Sequence, residues 1–433
     1  MKGFIPGIIS ILKRKGLRGV CRAVEQMEEQ IDIQTFYEYI MDDIGIEFES
    51  REKEELEGAE YMHINWVIPE MGVGSGGHMN IFRFVQGLQK LGIKNRVYLF
   101  RSSMLDSDEK LKDFIDRYYE LDTQQIEVFH SVTNMKPAHA VIATAWQTAY
   151  FVRNFHKTVS RFYFVQDFEP YFYAVGSEYM FAENTYKFGL RGLTAGDWLK
   201  GKLKDDYGMT AESFGFSYNK NLYDAGTKRD DTKRLFFYAR PVTPRRAFEL
   251  GLLALERVAE QVPEVEVIFA GWDVSRYKIS FTHLNAGSVR PEELSDLYAQ
   301  CDMCLVLSST NLSLLPLEIM ASNSVAVCTK GGNSDWLVNE TNCILVDTDP
   351  VMIADTLIYY LKHREKLEPV RKKGLEFARM TSWENEIGKV YRAVRKGVKE
   401  DGKKQGIDYR GKWIYRDEPC WLPDRKTDGS ILL

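Results

Sequence analysis

Residues 63–84 read HINWVIPEMGVGSGGHMNIFRF. The opening six residues have the make-up of a buried strand. Further on, Ile81, Phe84, Val85 and Leu88 fall at i, i+3, i+4 and i+7, the apolar stripe of a helix. Between strand and helix, Gly72, Gly74 and Gly77 spell G-x-G-x-x-G, the pattern known from dinucleotide-binding loops. In that setting the first glycine follows the strand directly, so that a tight turn brings the pyrophosphate onto the helix N-terminus. Here Pro69, Glu70 and Met71 intervene. The second strand, in NRVYLFRSS, ends in Arg101, Ser102 and Ser103 instead of an acid for a ribose, which suits NADP better than NAD. Three readings stay open at this point: an NADP-dependent oxidoreductase, a loop without a ligand, or a site for another anion or a sugar oxygen. The third rests on Gly76 and Gly77, whose bare amides precede a helix predicted to start near His78, at the C-terminal edge of a parallel sheet.

Outward from this loop, apolar runs alternate with amphipathic ones. YMHINWVI, NRVYLFR, AHAVIATAW, SRFYFVQD, RGLTAG and AESFGFS read as strands with helices between most of them. The polar stretch SYNKNLYDAGTKRDDTK (217–233) reads as an interdomain linker without regular structure. A second series follows, with strands RLFFYAR, VEVIFAGW, THLNAGSV, CDMCLVLS, SVAVCTK and NCILVD and helices at 245–261, 291–300, 315–323 and 350–363. Alternation of this kind predicts parallel sheets covered by helices on both faces. At 433 residues the chain exceeds one ordinary core. Residues 24–58 are charged and predicted helical or loosely ordered, and 365–397 helical. The tail 405–425, with Tyr409, Trp413, Tyr415 and Trp421, is expected to pack back on the first domain.

The 57 basic and 62 acidic residues leave a net charge of −5, which argues against nucleic acid as a partner. Six cysteines fit free thiols in a reducing, cytoplasmic setting. Cys301 and Cys304 form an isolated C-x-x-C on what reads as one strand, pointing to opposite faces and packed in the core. The opening 22 residues are too short in apolar length to cross a bilayer and carry their charges in the wrong order for a signal peptide. Ile5, Ile8, Ile9 and Leu12 share a helical face, beside Lys2, Lys13, Arg14, Lys15, Arg18 and Arg22. That pattern suits either peripheral attachment to an anionic membrane or docking on the protein's own body.

The stretch LSSTNLSLLPLEIMASN (307–323) runs from a strand into a helix that keeps Glu318 in its first turns. It resembles the acid-motif segment of retaining, nucleotide-sugar-dependent glycosyltransferases of the GT-B fold, with Glu318, Met320 and Ala321 matching its second half. FFYARPVTPRRAFELGLLAL (236–255) is similar to that family's Gly-Arg-Leu…Lys-Gly segment, Arg240 standing at the Arg and Arg245 at the Lys. NAGSVRPEELSDLYAQCDMCLVLSS, MGVGSGGH, VIATAWQTAY and YFVQDFEPYF also find counterparts, so the resemblance covers about residues 60–397. Within the family the chain most resembles bacterial rhamnosyltransferases of surface-layer glycans, which use dTDP-L-rhamnose.

The resemblance implies an α/β GT-B architecture: two facing Rossmann-like domains with parallel sheets and a cleft between them, plus an N-terminal helical extension. The expected division is 1–58 for the basic helical extension, 59–225 for the acceptor domain, 226–385 for the nucleotide-sugar domain and 386–433 for a helix and tail packing back. Nucleotide-sugar contacts are expected from Arg240, Arg245, Val289, Thr310, Asn311, Ser313, Leu314, Leu315, Glu318 and Gly76, and catalytic contacts from Asp167, Gln166, Gly77 and His78. The chemistry agrees: without a metal, the departing diphosphate must be neutralised by guanidinium groups and helix amides, here those of Ser313, Leu314 and Leu315. Glu318 would accept hydrogen bonds from ribose hydroxyls. Two departures stand out. Thr310 occupies the position of the family's first acid, and Gln166 and Asp167 stand where the family often has a histidine. Asp167 could receive the acceptor's proton or lie under the developing oxocarbenium charge. Asp347 and Asp349 in VDTDP mimic a metal motif, but Asp349 followed by Pro350 reads as a helix cap. The expected activity is therefore metal-independent, cofactor-free transfer of a sugar, L-rhamnose by resemblance, to a glycan acceptor on a lipid carrier. The alternatives are the NADP-dependent oxidoreductase and a nucleotide-sugar epimerase of the same fold.

Overall fold

The computed structural model describes residues 32–403 and divides the chain into two units, 1–43 and 44–433. The described part of the first unit is one helix, Ile33–Met41, capped by the Asp32 side chain on the Thr35 amide. The basic segment 1–22 and the aromatic tail 405–425 lie outside the described residues.

The second unit holds two parallel sheets. The first runs through β1 (His63–Ile68), β2 (Lys94–Leu99), β3 (Glu127–Phe129), β4 (Ala138–Ala143), β5 (Thr158–Val165), β6 (Arg191–Ala195) and β7 (Ala211–Phe214). Its spatial order is β3-β2-β1-β4-β5-β6-β7. The second sheet comprises β8 (Arg234–Tyr238), β9 (Glu266–Ala270), β10 (His283–Gly287), β11 (Met303–Val306), β12 (Val325–Thr329) and β13 (Ile344–Val346), in the order β10-β9-β8-β11-β12-β13. Both sheets thus carry the doubly wound order in which the chain reverses direction beside the first strand of each half. The central strands are apolar almost throughout because helices cover both their faces. The reversal points, between β1 and β4 and between β8 and β11, leave crevices at the C-terminal strand ends, where open α/β sheets bind ligands.

Several local expectations shift. The glycine-loop helix begins at Gly76, not near His78, and runs to Lys90. The helix read from residue 245 begins at Phe248, because Pro244–Arg246 form a 3₁₀ turn ended by Ala247 in a left-handed conformation at φ 47°. The run 365–397 is two helices, Leu367–Met380 and Trp383–Asp401, separated at Thr381 and Ser382. The stretch 217–233 has no helix or strand, yet Ser217, Tyr218 and Tyr223 are buried, so it is packed chain and not a loose tether. Cys301 precedes β11 instead of lying on it, and its thiol donates to Leu297 O in a helical i−4 contact. Both Cys301 and Cys304 therefore enter one apolar cluster instead of opposite faces. Asp349 does cap the helix Pro350–Lys362, accepting from the amides of Val351 and Met352.

The helix Trp383–Asp401 follows the second sheet in sequence but packs on the first, against β5 and β7. Asp401, 6% exposed, accepts from Ser160 Oγ at 2.6 Å and from Arg191 Nη2 at 2.7 Å. Gly397 permits the close approach: a Cβ there would lie 2.6 Å from Phe162 Cζ and 2.9 Å from Arg191 Cδ. Gly397→Ala is accordingly expected to destabilise the fold by about 1–3 kcal/mol through overpacking, read from its denaturation midpoint. An unchanged midpoint would show that the helix can retreat without loss.

Candidate active site

The ends of β5 and β11 meet. The Asp167 carboxylate, just beyond β5, accepts from Thr310 Oγ1 at 2.8 Å and from the Asn311 amide at 3.3 Å. Asn311 Nδ2 donates to Gln166 O at 2.8 Å. A second meeting point lies at the end of β6, where the Trp336 indole covers Gly196 so closely that a Cβ would come within 2.5 Å of the ring. Trp198 lies beside Gly332 in the same way. The cleft-facing ends of the two sheets therefore oppose one another.

On the side of the second sheet, Arg240, Arg245 and Arg246 follow β8. The Arg245 guanidinium lies over the Phe172 ring at 4.2 Å, and Arg240 over Trp272 at 5.7 Å. The Nε–H groups of Arg240 and Arg245 are buried without a hydrogen-bond partner among the described residues. Buried donors of this kind are normally satisfied, so these two are available to an anion. Burial lowers the pKa of Arg245, and the nearby Asp167 charge opposes that shift. Arg246, which the sequence reading passed over, donates from Nη1 to Asn311 O at 3.1 Å and so braces the loop after β11. Its signal was its place in the Pro-Arg-Arg turn.

Thr310 and Asn311 lie in that loop, and Ser313 is held at φ 62°. The Ser313 amide donates to Asn311 Oδ1 at 2.6 Å. Leu314 and Leu315 bury their side chains in the core, at the start of the seven-residue helix Leu315–Ala321. Glu318, in the first turn of that helix, is partly exposed. Burial of its carboxyl pushes its pKa up to about 7, against the opposing pull of Arg83 and a hydrogen bond from Tyr223. Tyr223, from the packed crossing segment, and Arg83, from the helix Gly76–Lys90, are therefore neighbours that the sequence alone did not associate with Glu318. Val289, two residues beyond β10, packs half-buried against the larger apolar cluster.

On the side of the first sheet, Gly76 and Gly77 form the first turn of their helix. Gly77 O accepts from Gln166 Nε2 at 3.0 Å, and Gln166 Oε1 accepts from Asn80 Nδ2 at 3.2 Å. The Gln166 side-chain amide is thus engaged at both ends and braces the glycine-loop helix. His78 is similarly enclosed: Nδ1 meets Ser75 Oγ at 2.8 Å and Nε2 meets Pro69 O at 3.3 Å. Burial lowers its pKa to about 4, so it is neutral at pH 7, and its two contacts shape the loop. Ser102 and Ser103 hydroxyls turn to Glu70, away from the role of a phosphate pocket for NADP. Asp167 has both oxygens engaged, since Oδ1 accepts from the Phe168 amide at 2.8 Å. Burial raises its pKa, while Thr310 and Arg245 pull it down. Among the described residues no group of three or more His, Cys, Asp or Glu could hold a metal ion, and no helix is long and apolar enough to cross a membrane.

Two doubly wound sheets with opposed strand ends define the GT-B class of glycosyltransferases. Solved structures of that class agree in fold. The Anabaena protein Alr3699/HepE in complex with UDP and glucose matches with a TM-score of 0.57 at 13% identity, over 78% of this chain and 100% of its own. The S. aureus TarM G117R mutant, in complex with Fondaparinux, alpha-GlcNAc-glycerol and UDP, matches with a TM-score of 0.61 at 9% identity, over 77% and 99%. The chain belongs to the WsaF family: residues 93–194 match its N-terminal domain and residues 233–358 its C-terminal domain, together more than half of the sequence. It is also 28% identical over 339 residues to the O-antigen biosynthesis protein RfbC of Myxococcus xanthus. That alignment takes in 76% of this chain but spans only 26% of the relative.

Proposed function

We propose that the chain transfers a sugar from a nucleoside-diphosphate donor to a glycan acceptor in the assembly of a bacterial surface polysaccharide. The observation that carries this reading is the pair of half-buried arginines, Arg240 and Arg245, whose buried Nε–H groups have no partner among the described residues, at the reversal point of the second sheet. They supply the positive charge that a departing diphosphate requires, in the place of a metal ion. The family match and the likeness to an O-antigen biosynthesis protein support a role in glycan assembly. L-Rhamnose from dTDP-L-rhamnose is the donor that the sequence resemblance favours. The full engagement of Asp167 supports front-face displacement with retention: acting as a covalent nucleophile would break its bonds to Phe168, Thr310 and Asn311. A lipid-linked acceptor would give the basic segment 1–22 a membrane surface to rest on.

Calorimetry of the full chain against dTDP, UDP, GDP and NADPH, with and without EDTA, tests the reading. Binding of a nucleoside diphosphate that EDTA leaves unchanged is expected; NADPH binding without any nucleoside diphosphate response would overturn it. Glu318 adds a pH signature. Ribose hydroxyls donate to the ionised carboxylate, so affinity is expected to rise as pH passes through about 7. Glu318→Gln should flatten that dependence, and Glu318→Ala should weaken binding about 10- to 100-fold. Unchanged affinity in both variants would remove Glu318 from the site.

A further inference from the structure

We propose that Glu169, two residues beyond Asp167, is a positioning residue that sets the cleft-facing turn of the first half. Glu169 is 6% exposed and fully engaged. Its Oε2 accepts from the Trp146 amide at 2.7 Å, its Oε1 accepts from Tyr163 Oη at 2.7 Å, and its own amide donates to Tyr186 Oη at 3.0 Å. One side chain thereby ties together β5, through Tyr163, and the helix Trp146–Asn154, through its first amide. Its backbone ties in the 3₁₀ turn Thr185–Lys187, through Tyr186. The helix needs this cap, because Ala145 at its N-cap has no side-chain acceptor for the Trp146 amide.

The 3₁₀ turn held in this way, Glu169–Phe172, reaches the second half through Phe172. On one side of Glu169, Asp167 receives Thr310 and Asn311; on the other, Phe172 lies under Arg245. Phe168, between them, is 1% exposed and stacks on Tyr186 at 5.4 Å. Glu169 itself is enclosed within the first half. It acts through the two residues that do face the cleft, as a buried support fixes a reacting constellation.

The surroundings make the support sensitive to pH. Burial raises the pKa of Glu169 to about 8, with the bonds from Tyr163 and Trp146 opposing and the Asp167 charge adding to the rise. The titratable groups around it are Tyr163 on β5, Tyr186 in the 3₁₀ turn and Asp167 on its own segment. Farther out, Tyr207 lies tilted against Tyr186 and donates to Glu183, and Lys202 lies over Phe168. Because the folded turn holds this proton more tightly than a solvated carboxyl does, the turn is expected to loosen as pH rises from 4.5 towards about 8 and to level off above it.

Hydrogen exchange on the ligand-free full chain tests the inference without depending on sugar transfer. Glu169→Ala is expected to speed exchange about tenfold or more in segments 166–173 and 308–312, the scale of a lost buried hydrogen bond. Glu169→Gln stays neutral and keeps one acceptor oxygen, so its protection should not change between pH 7 and pH 9 beyond the intrinsic rise of exchange with pH, whereas wild type still loses protection up to about pH 8. Wild-type protection in Glu169→Ala, or identical behaviour of wild type and Glu169→Gln at pH 9, would overturn the inference. If Glu169→Ala does not fold, the Glu169→Gln comparison at pH 9 decides. The inference rests on the proposed function only for the meaning of the cleft: absence of nucleotide binding in wild type would end the transferase reading while the exchange result still stood.

Discussion

Replacing Arg245 by alanine is expected to lower sugar-transfer turnover by about 10²–10³-fold, the cost of deleting one preorganised donor to a developing charge. The fold should survive. Arg245 makes no ion pair among the described residues, and its guanidinium rests on the Phe172 ring without anchoring a segment. The melting temperature should therefore stay within a few degrees of wild type while nucleoside-diphosphate affinity drops. Arg245→Lys should recover only part of the loss, because an ammonium cannot offer a planar fork or lie flat on the ring. Steady-state kinetics with calorimetry distinguish the outcomes; undiminished turnover in Arg245→Ala would exclude it from the site.

The second large effect concerns Asp302, which is 2% exposed just ahead of β11. It accepts from Lys228 Nζ at 2.8 Å, from Arg364 Nη2 at 2.7 Å and from the Arg234 amide at 3.0 Å. Removing one member of such a cluster leaves cations without their counter-charge, a loss of about 3–5 kcal/mol when the site is fully enclosed. Lys228 and Arg364 keep 19% and 31% of their side-chain surface, so water softens the loss. Asp302→Ala is thus expected to cost about 2–4 kcal/mol in chemical denaturation. Asp302→Asn should cost less, because an amide oxygen can still accept from Arg234. A denaturation curve of Asp302→Ala that overlays wild type would show the cluster to be energetically idle.

The sheets were legible in the sequence because parallel strands covered on both faces are apolar without interruption, as in AVIA and MCLV. Glu318 and the arginines after β8 were singled out through the family resemblance of their segments; the structure places the arginines just beyond β8 and Glu318 in the first turn of the helix after β11. What escaped were contacts made across long sequence separations. Nothing near Thr310 announces that Asp167, 143 residues away, supplies a carboxylate to its hydroxyl. Nothing near His78 shows that both of its nitrogens are already engaged. The polarity of 217–233 suggested a tether, while its two buried tyrosines obeyed tertiary packing that a local reading cannot see. The partner of the Ser313 amide was hidden for a related reason: in a left-handed turn it is found two residues back, a matter of turn geometry that helix-start residue types do not announce.

The return of the helix Trp383–Asp401 to the first sheet bears on how the chain is made. During synthesis β5 and β7 leave the ribosome well before the helix that covers them, so the earlier half cannot complete its tertiary structure until nearly all of the later half has emerged. Splitting the molecule at the crossing segment would strand that half with an open apolar flank. A two-fragment version able to reassemble must leave 383–401 with the later piece, as a strap supplied from outside.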